Sequence, residues 1–274
     1  MIRRLFKNLT LLDPSDAPDA SAQLERDGYA RLQGVFGPAE VARMREEIDA
    51  IFETFPPERT RSDKDEFRYE MLNRSAACQA AAAHPEILRA VEPLLGDDCH
   101  VIANTAWRNP AAFPGGRWHC DAGPHVPRAE GVPWDDRIPY PVFAVATHIY
   151  LQDCTRADGP TAVVPGSHRS GRLAPFDRMD GEDLTYDGRP PVVFEVEAGD
   201  VALFVSDAWH RGLPAGPDGR GRYFLQVHYA RRDIAQRIRT TAEVNHLSDE
   251  AVGRATTERA PALLGLHGPF FYDA

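Results

Sequence analysis

The sequence lacks the features that place a chain in a membrane, in a disulfide framework or on a nucleic acid. No stretch of its 274 residues approaches the roughly 18 consecutive apolar residues that a spanning helix needs. Its four cysteines (Cys78, Cys99, Cys120, Cys154) are widely spaced and form no CxxC pair. The opening "MIRRLFKNLTLLDPSD" is basic and leucine-containing, but Lys7 and Asn8 break its apolar run and no small-residue cleavage site follows. It does not read as a signal peptide, so the expectation is reduced thiols in a cytoplasmic protein. Basic residues are outnumbered 31 to 41, a net charge of -10, which argues against the basic face a nucleic-acid partner would require. Internal repeats and low-complexity linkers are also missing. What remains is ordinary in bulk, 43% hydrophobic and 26% charged, and points to a globular protein handling a small molecule. Nothing in the sequence speaks to oligomeric state.

The order of residue types predicts one domain over 1–274, with a helical N-terminal part at about 15–98, a β core at about 99–232 and a tail at 233–274. "SAQLERDGYARL" reads as a short helix, a turn at Gly28 and a strand over Tyr29 to Leu32. In "GPAEVARMREEIDAIFETF", Pro38 lies near a helix start, and Val41, Met44, Ile48 and Ile51 recur at the spacing of one helix face. The charged run 56–69 reads as loop. "AACQAAAAHPEILRAVEPLLG" predicts more helix, with Pro85 starting a new segment and Gly96 ending it. From residue 99 the pattern changes to short β-branched and aromatic runs separated by Gly, Pro and Asp: "CHVIANTAW", "VFAVATHIYLQ", "PTAVVP", "PVVFEVE", "DVALFVS" and "RYFLQVHYA". That pattern fits a sandwich or jelly roll rather than βαβ units. Two long loops interrupt it, 122–141 with five prolines and 170–191, and loops of that length often act as lids. The tail from 233 reads as helical before the apolar "HGPFFYDA".

One stretch carries potential chemistry. "GRWHCDAGPH" places His119 and Asp121 two residues apart at what looks like the end of a strand. There, side chains at i and i+2 share a face and Cys120 points away. Such a pair alone is commonly a coincidence. A third candidate, His210, follows the apolar run Val201 to Val205 through a short turn. Two histidines and one carboxylate with other positions open make the facial triad of non-haem Fe(II) oxygenases, whose open positions admit a co-substrate and dioxygen. Such an iron usually takes 2-oxoglutarate, whose far carboxylate needs a buried cation, best met by the planar fork of arginine. Arg222, twelve residues after His210, begins the next strand, where Arg222, Phe224, Gln226 and His228 share a face. Arg220, its rival, lies between two glycines in the bend and reads as solvated.

These residues resemble the phytanoyl-CoA dioxygenase family. The resemblance rests on "HCD", the run "DGPTAVVPGSHRSG" (158–171), the distal His210 and the following Arg222, and the opening "DGYARLQGVFGPAEVARMREEID" is also similar. It covers about residues 22–232. Members are Fe(II)/2-oxoglutarate-dependent oxygenases on a double-stranded β-helix, and they include hydroxylases of small metabolites. The resemblance therefore implies a mainly β fold with flanking helices and a jelly-roll, cupin-like core. It implies His119, Asp121 and His210 as catalytic metal ligands, Arg222 as the anchor of 2-oxoglutarate, and Fe(II), 2-oxoglutarate and dioxygen as the reacting set. It also sets Asn104 and His148 against the co-substrate. His148 departs from the family, which often has Trp there, and Arg211 departs from the glycine commonly found after the distal histidine. Arg211 would then alter the site rim or point to solvent.

Ser167 and His168 in "PGSH" read as turn structure. His125 falls in the expected lid, in reach of substrate rather than metal. Trp118 and Trp209, each preceding a triad histidine, should pack away from it. The implied reaction is hydroxylation coupled to decarboxylation of 2-oxoglutarate to succinate, while desaturation, ring closure and epimerisation use the same triad. Related halogenases replace the carboxylate by a small residue, so Asp121 disfavours halogenation. Two other classes stay open: a zinc hydrolase using the same three ligands, and a non-catalytic jelly-roll binding protein. The lid "AGPHVPRAEGVPWDDRIPYP" offers His125, Arg128, Trp134, Asp135 and Asp136, a mixture compatible with a polar natural-product intermediate or an amino-acid derivative. It shows no basic cluster for a CoA thioester.

Overall fold

The first helix, α1 (Asp19–Asp27), buries Ser21, Leu24 and Asp27 and stops where Gly28 enters the left-handed region at φ 81°. That glycine turns the chain straight into β1 (Tyr29–Leu32), as its sequence predicts. In the computed structural model, which describes residues 19–56, 66–121, 123–236, 238 and 247–267, α2 (Pro38–Thr54) follows. Pro38 occupies its first turn, and the Gly37 N–H donates to the Glu40 carboxylate at 2.8 Å. Val41, Met44, Ile48 and Ile51 are all buried on one face, the periodicity legible in the sequence. Residues 57–65 of the charged run fall outside the described residues, but its end is not loop. Glu66–Tyr69 forms β2, an edge strand whose Phe67 ring lies 4.6 Å from that of Trp107. The short helices α3 (Met71–Arg74) and α4 (Ala76–Ala82) precede α5 (Pro85–Leu95), with Pro85 and Gly96 at its ends.

The β core comprises β3 (His100–Asn109), β4 (Ala144–Tyr150), β5 (Thr161–Val163), β6 (Val192–Val193), β7 (Val201–Val205), β8 (His210–Gly212) and β9 (Arg222–Ala230). The sequence shows the other strands but not β8, which falls between the short turn after Val205 and the Gly- and Pro-rich bend that begins at Gly212. A six-stranded antiparallel sheet runs β1-β7-β4-β9-β3-β2, and a three-stranded one runs β6-β5-β8. The helical N-terminal part thus supplies strands at both edges of the large sheet, so the boundary near residue 98 separates types of structure and not bodies. Within the expected helical tail, the described residues hold only two short helices, α6 (Asp249–Gly253) and α7 (Ala260–Leu263). The opening "MIRRLFKNLTLLDPSD", residues 237 and 239–246, and the terminal "GPFFYDA" lie outside the described residues.

Alternation sorts the side chains into layers. Val145, Ile149, Leu203, Leu225 and Val227 face outward from the large sheet onto Leu24, Met44, Ile48 and Val91 of the helices. The other face carries Ala146, Tyr150, Phe204 and Phe224 toward Val163, Phe194 and Val196 of the small sheet. Outside the small sheet, Trp118, Val164, Trp209 and Leu213 form a third cluster under the loops. β4 is buried along its whole length because both of its faces are covered. Each fully buried Val, Leu or Ile contributes roughly 1.5–3 kcal/mol, so these layers hold the two sheets rigidly around the space between them. No helix among the described residues is long and apolar enough to cross a membrane.

Candidate metal centre

His119 does not lie in a strand, contrary to the expectation. It stands on an extended segment that makes an isolated antiparallel bridge with His210, the first residue of β8. His119 N–H donates to His210 O at 3.0 Å and His210 N–H to His119 O at 2.9 Å. Two residues on, Asp121 N–H donates to Ser206 O at 3.1 Å. These backbone bonds bring the three side chains together, their ligand atoms all within 4.8 Å of one another. Asp121 Oδ1 lies 3.4 Å from His210 Nε2 and 3.9 Å from His119 Nε2. Both imidazoles commit their other nitrogen to backbone: His119 Nδ1 lies 2.7 Å from Arg117 O and His210 Nδ1 3.0 Å from Ala208 O. Carbonyls only accept, so each Nδ1 carries the hydrogen and each Nε2 keeps a lone pair for a cation.

The electrostatics match that arrangement. Burial works against charge on Asp121, but His210 and His228 beside it hold its carboxyl well below the usual range. Burial likewise opposes charge on His210, yet the Asp121 carboxylate raises it overall. His148 is held neutral, by burial first and then by Arg222 and His210.

Arg222 is 7% exposed at the start of β9, on the inner face. Its Nη1 donates to Thr161 Oγ1 at 3.0 Å, and its guanidinium lies 5.6 Å and 5.3 Å from the ring centres of Phe113 and Phe224. The same Thr161 hydroxyl lies 3.2 Å from both the Tyr150 hydroxyl and His148 Nδ1. A hydroxyl accepts twice and donates once. Arg222 and Tyr150 therefore donate to Thr161, which donates to the neutral His148. Tyr150 and Thr161 belong to this cluster although the sequence singled out neither. Tyr150 was legible, since it shares the β4 face with His148, but the contact with Thr161 crosses between sheets.

Asn104 is not in the cluster. In the antiparallel register it stands opposite Val227, whose side chain joins the helix-facing core, whereas Thr105 stands opposite the inward-facing Gln226. The expected contact of Asn104 with a co-substrate is therefore corrected: it points to the other side of the sheet. Its amide N and O are both buried there with no hydrogen-bond partner among the described residues.

The remaining expectations divide similarly. Arg211 reaches neither rim nor solvent; it is 5% exposed and donates to Asp180 O and Gly181 O at 3.1 and 3.2 Å, pinning the 170–191 loop. Arg220 is half exposed and donates to Asp153 O at 3.1 Å. Trp118 and Trp209 pack outside the small sheet, as alternation predicts. Ser167 Oγ donates to Val164 O at 2.7 Å and accepts from Trp209 N–H at 2.8 Å, a turn role. Buried Asp207, beyond the end of β7, holds two lid residues: it accepts from the His125 backbone N–H at 2.9 Å, from His125 Nδ1 and from the Tyr140 hydroxyl at 3.1 Å. Asp135 pairs with Arg137 and Asp136 with Arg169. Trp134 donates to Ile138 O at 2.6 Å and lies 5.3 Å from the Arg128 guanidinium.

With this geometry in view, known proteins give consistent matches. The profile of the phytanoyl-CoA dioxygenase family (PhyH) matches residues 24–220, ending two residues before Arg222. Among solved structures, the epimerase SnoN in complex with Fe3+, alpha ketoglutarate and nogalamycin RO superposes with a TM-score of 0.64 at 19% identity, covering 86% of this chain and 95% of that one. The alpha ketoglutarate-dependent carbocyclase SnoK from nogalamycin biosynthesis gives 0.62 at 19%, over 83% and 89%. HygX from Streptomyces hygroscopicus, with nickel, 2-oxoglutarate and hygromycin B bound, gives 0.61 at 16%, over 81% and 94%. At such identities the structures establish a shared jelly-roll fold, and the family match goes further: the chain belongs to the phytanoyl-CoA dioxygenase family of Fe(II)- and 2-oxoglutarate-dependent oxygenases.

Proposed function

We propose that His119, Asp121 and His210 hold Fe(II), that Arg222 with Thr161 receives the far carboxylate of 2-oxoglutarate, and that the protein hydroxylates a small polar natural-product intermediate in the cytoplasm. The observation that carries this is the facing of two features from the two sheets. A two-imidazole, one-carboxylate group with both Nδ1 atoms committed elsewhere stands across from an arginine buried between aromatic rings. The donor set alone would also serve zinc. A buried guanidinium opposite these ligands has no part in zinc hydrolysis, but it suits a dicarboxylate chelated at its other end.

Iron held by these residues would supply the oxidising chemistry with 2-oxoglutarate and dioxygen, 2-oxoglutarate being converted to succinate and carbon dioxide. The chain's own part is positioning. The His119–His210 bridge fixes two ligands relative to each other before metal arrives. Phe113, Phe224 and Tyr150 keep water from the anchor and strengthen its ion pair. Neutral His148 adds a polar wall without a competing charge.

SnoN is seen with nogalamycin RO, SnoK comes from nogalamycin biosynthesis and HygX is seen with hygromycin B, which supports a small natural-product substrate here. The lid offers no basic cluster for a phosphate-rich CoA thioester: Arg137 pairs with Asp135, the neighbouring Arg169 with Glu25 and Asp136 and Arg172 with Glu130, which leaves Arg128 as the one lid arginine without a hydrogen-bond partner among the described residues. We place neither nucleic acid nor membrane among its partners. The test is succinate production from 2-oxoglutarate by protein loaded with Fe(II) in air. The expected result is slow substrate-free turnover abolished by a chelator and by His210→Ala. Succinate no higher than in the chelated control would remove the oxygenase reading.

A further inference from the structure

His228 faces the same cavity from β9 and has no role in the account so far. Its side chain is 16% exposed, and it and Gln226 are the two partly exposed residues of the central strand β9. Its Nε2 lies 3.3 Å from Asp121 Oδ2. The two carboxylate oxygens of Asp121 are thus divided. Oδ1 is the atom nearest both His119 and His210, and Oδ2 is the atom nearest His228. Among the described residues, these three imidazoles are the only side chains that meet this carboxylate. A carboxylate that binds metal through one oxygen stays in place when its second oxygen has a donor.

We infer that His228 is the positioning residue of the metal-binding carboxylate: its Nε2–H donates to Asp121 Oδ2 and turns Oδ1 toward the histidine pair. This rests on the iron reading above and adds a residue to it.

A competitor for the same nitrogen makes the inference testable. Gln226 Nε2 lies 3.0 Å from His228 Nε2, while Trp107 Nε1 lies 2.9 Å from Gln226 Oε1. An indole N–H can only donate, so Trp107 holds the amide with its NH2 toward the imidazole. His228 Nε2 therefore serves one neighbour at a time, with a lone pair for the amide or a hydrogen for the carboxylate. The bond to the carboxylate is charge-assisted, roughly twice as strong as a neutral one, and prevails. Removing Gln226 should consequently leave metal binding intact, whereas removing His228 should not.

The probe is Co(II), whose visible spectrum reports ligand geometry without 2-oxoglutarate or substrate, titrated into wild type, His228→Ala and Gln226→Leu. The expected result is a ten- to hundredfold weaker Kd and an altered spectrum for His228→Ala. Gln226→Leu should stay within twofold of wild type. His228→Gln, which keeps an N–H donor, should recover part of the loss. The inference is overturned if His228→Ala binds within twofold of wild type with an unchanged spectrum. It is also overturned if Gln226→Leu loses as much as His228→Ala, since that marks wall packing and not a bond to Asp121. A wild type that binds no cobalt overturns the metal reading itself, an outcome distinct from both.

Discussion

A single buried imidazole, His168, sets part of the response of the fold to acid. It is fully buried, Nε2 donates to Glu25 O at 2.9 Å, and Nδ1 packs over Gly28 without a partner among the described residues. Burial first, and Arg169 in addition, lowers its pKa to about 4. The unfolded chain takes up a proton near pH 6.5. Its contribution is therefore complete above pH 6.5 and is lost as pH falls toward 4, by on the order of 3 kcal/mol. Denaturant melts of His168→Gln should show lower stability at pH 7.5 but a flatter dependence between pH 6.5 and 4. A slope equal to wild type would remove this assignment. At Arg222, substitution by Ala removes a charge-assisted bond of about 1.5–3 kcal/mol, so 2-oxoglutarate affinity should fall roughly ten- to a hundredfold with Fe(II) affinity retained. Asn104→Leu should do the reverse of what a co-substrate ligand would do. Removing an unsatisfied buried amide should raise stability by about 1 kcal/mol and leave 2-oxoglutarate binding unchanged, measured by melting and by titration.

At the scale of elements, the short strand β8 and the start of β9 are packed so closely that a Cβ on Gly212 would overlap the Arg222 guanidinium. Gly212 needs no left-handed backbone, so Gly212→Ala should fold normally, displace the arginine tip and raise the KM for 2-oxoglutarate several-fold. An unchanged KM would mean that the guanidinium does not hold the co-substrate where it now lies. The same elements show what could be read from the sequence. α2 and its buried stripe were legible because burial on one side imposes a 3.6-residue period. The gathering of His119, Asp121 and His210 was legible because HxD on extended backbone puts two side chains on one face and an apolar strand leads to the third. β8 was not, since "HRG" beside glycines and prolines carries no period and exists only by pairing with β5 and the His119 segment. The face of Asn104 was hidden for a different reason. β3 is covered on both sides, so polarity does not alternate, and its bulge between Val101 and Ala103 shifts the phase partway along. The contact of His228 with Asp121 joins residues 107 apart in sequence across the cavity, which spacing alone does not reveal.

At the scale of the molecule, two sheets of unequal size enclose the candidate site, with helices backing one and loops the other. The large sheet carries Arg222 and His148, the proposed co-substrate wall. The small sheet and the segment beside it carry all three triad ligands. Function therefore depends on keeping the sheets in register, which the inner cluster of Tyr150, Phe204, Phe224 and Val163 does. The measurement that tests this joint arrangement most directly is anaerobic addition of Fe(II) and then 2-oxoglutarate, watching for the weak metal-to-ligand charge-transfer absorption of the chelate. The account predicts the band in wild type, a strong loss in Asp121→Ala, and in Arg222→Ala a band reached only at much higher 2-oxoglutarate. Iron binding with no band at any 2-oxoglutarate concentration would contradict it.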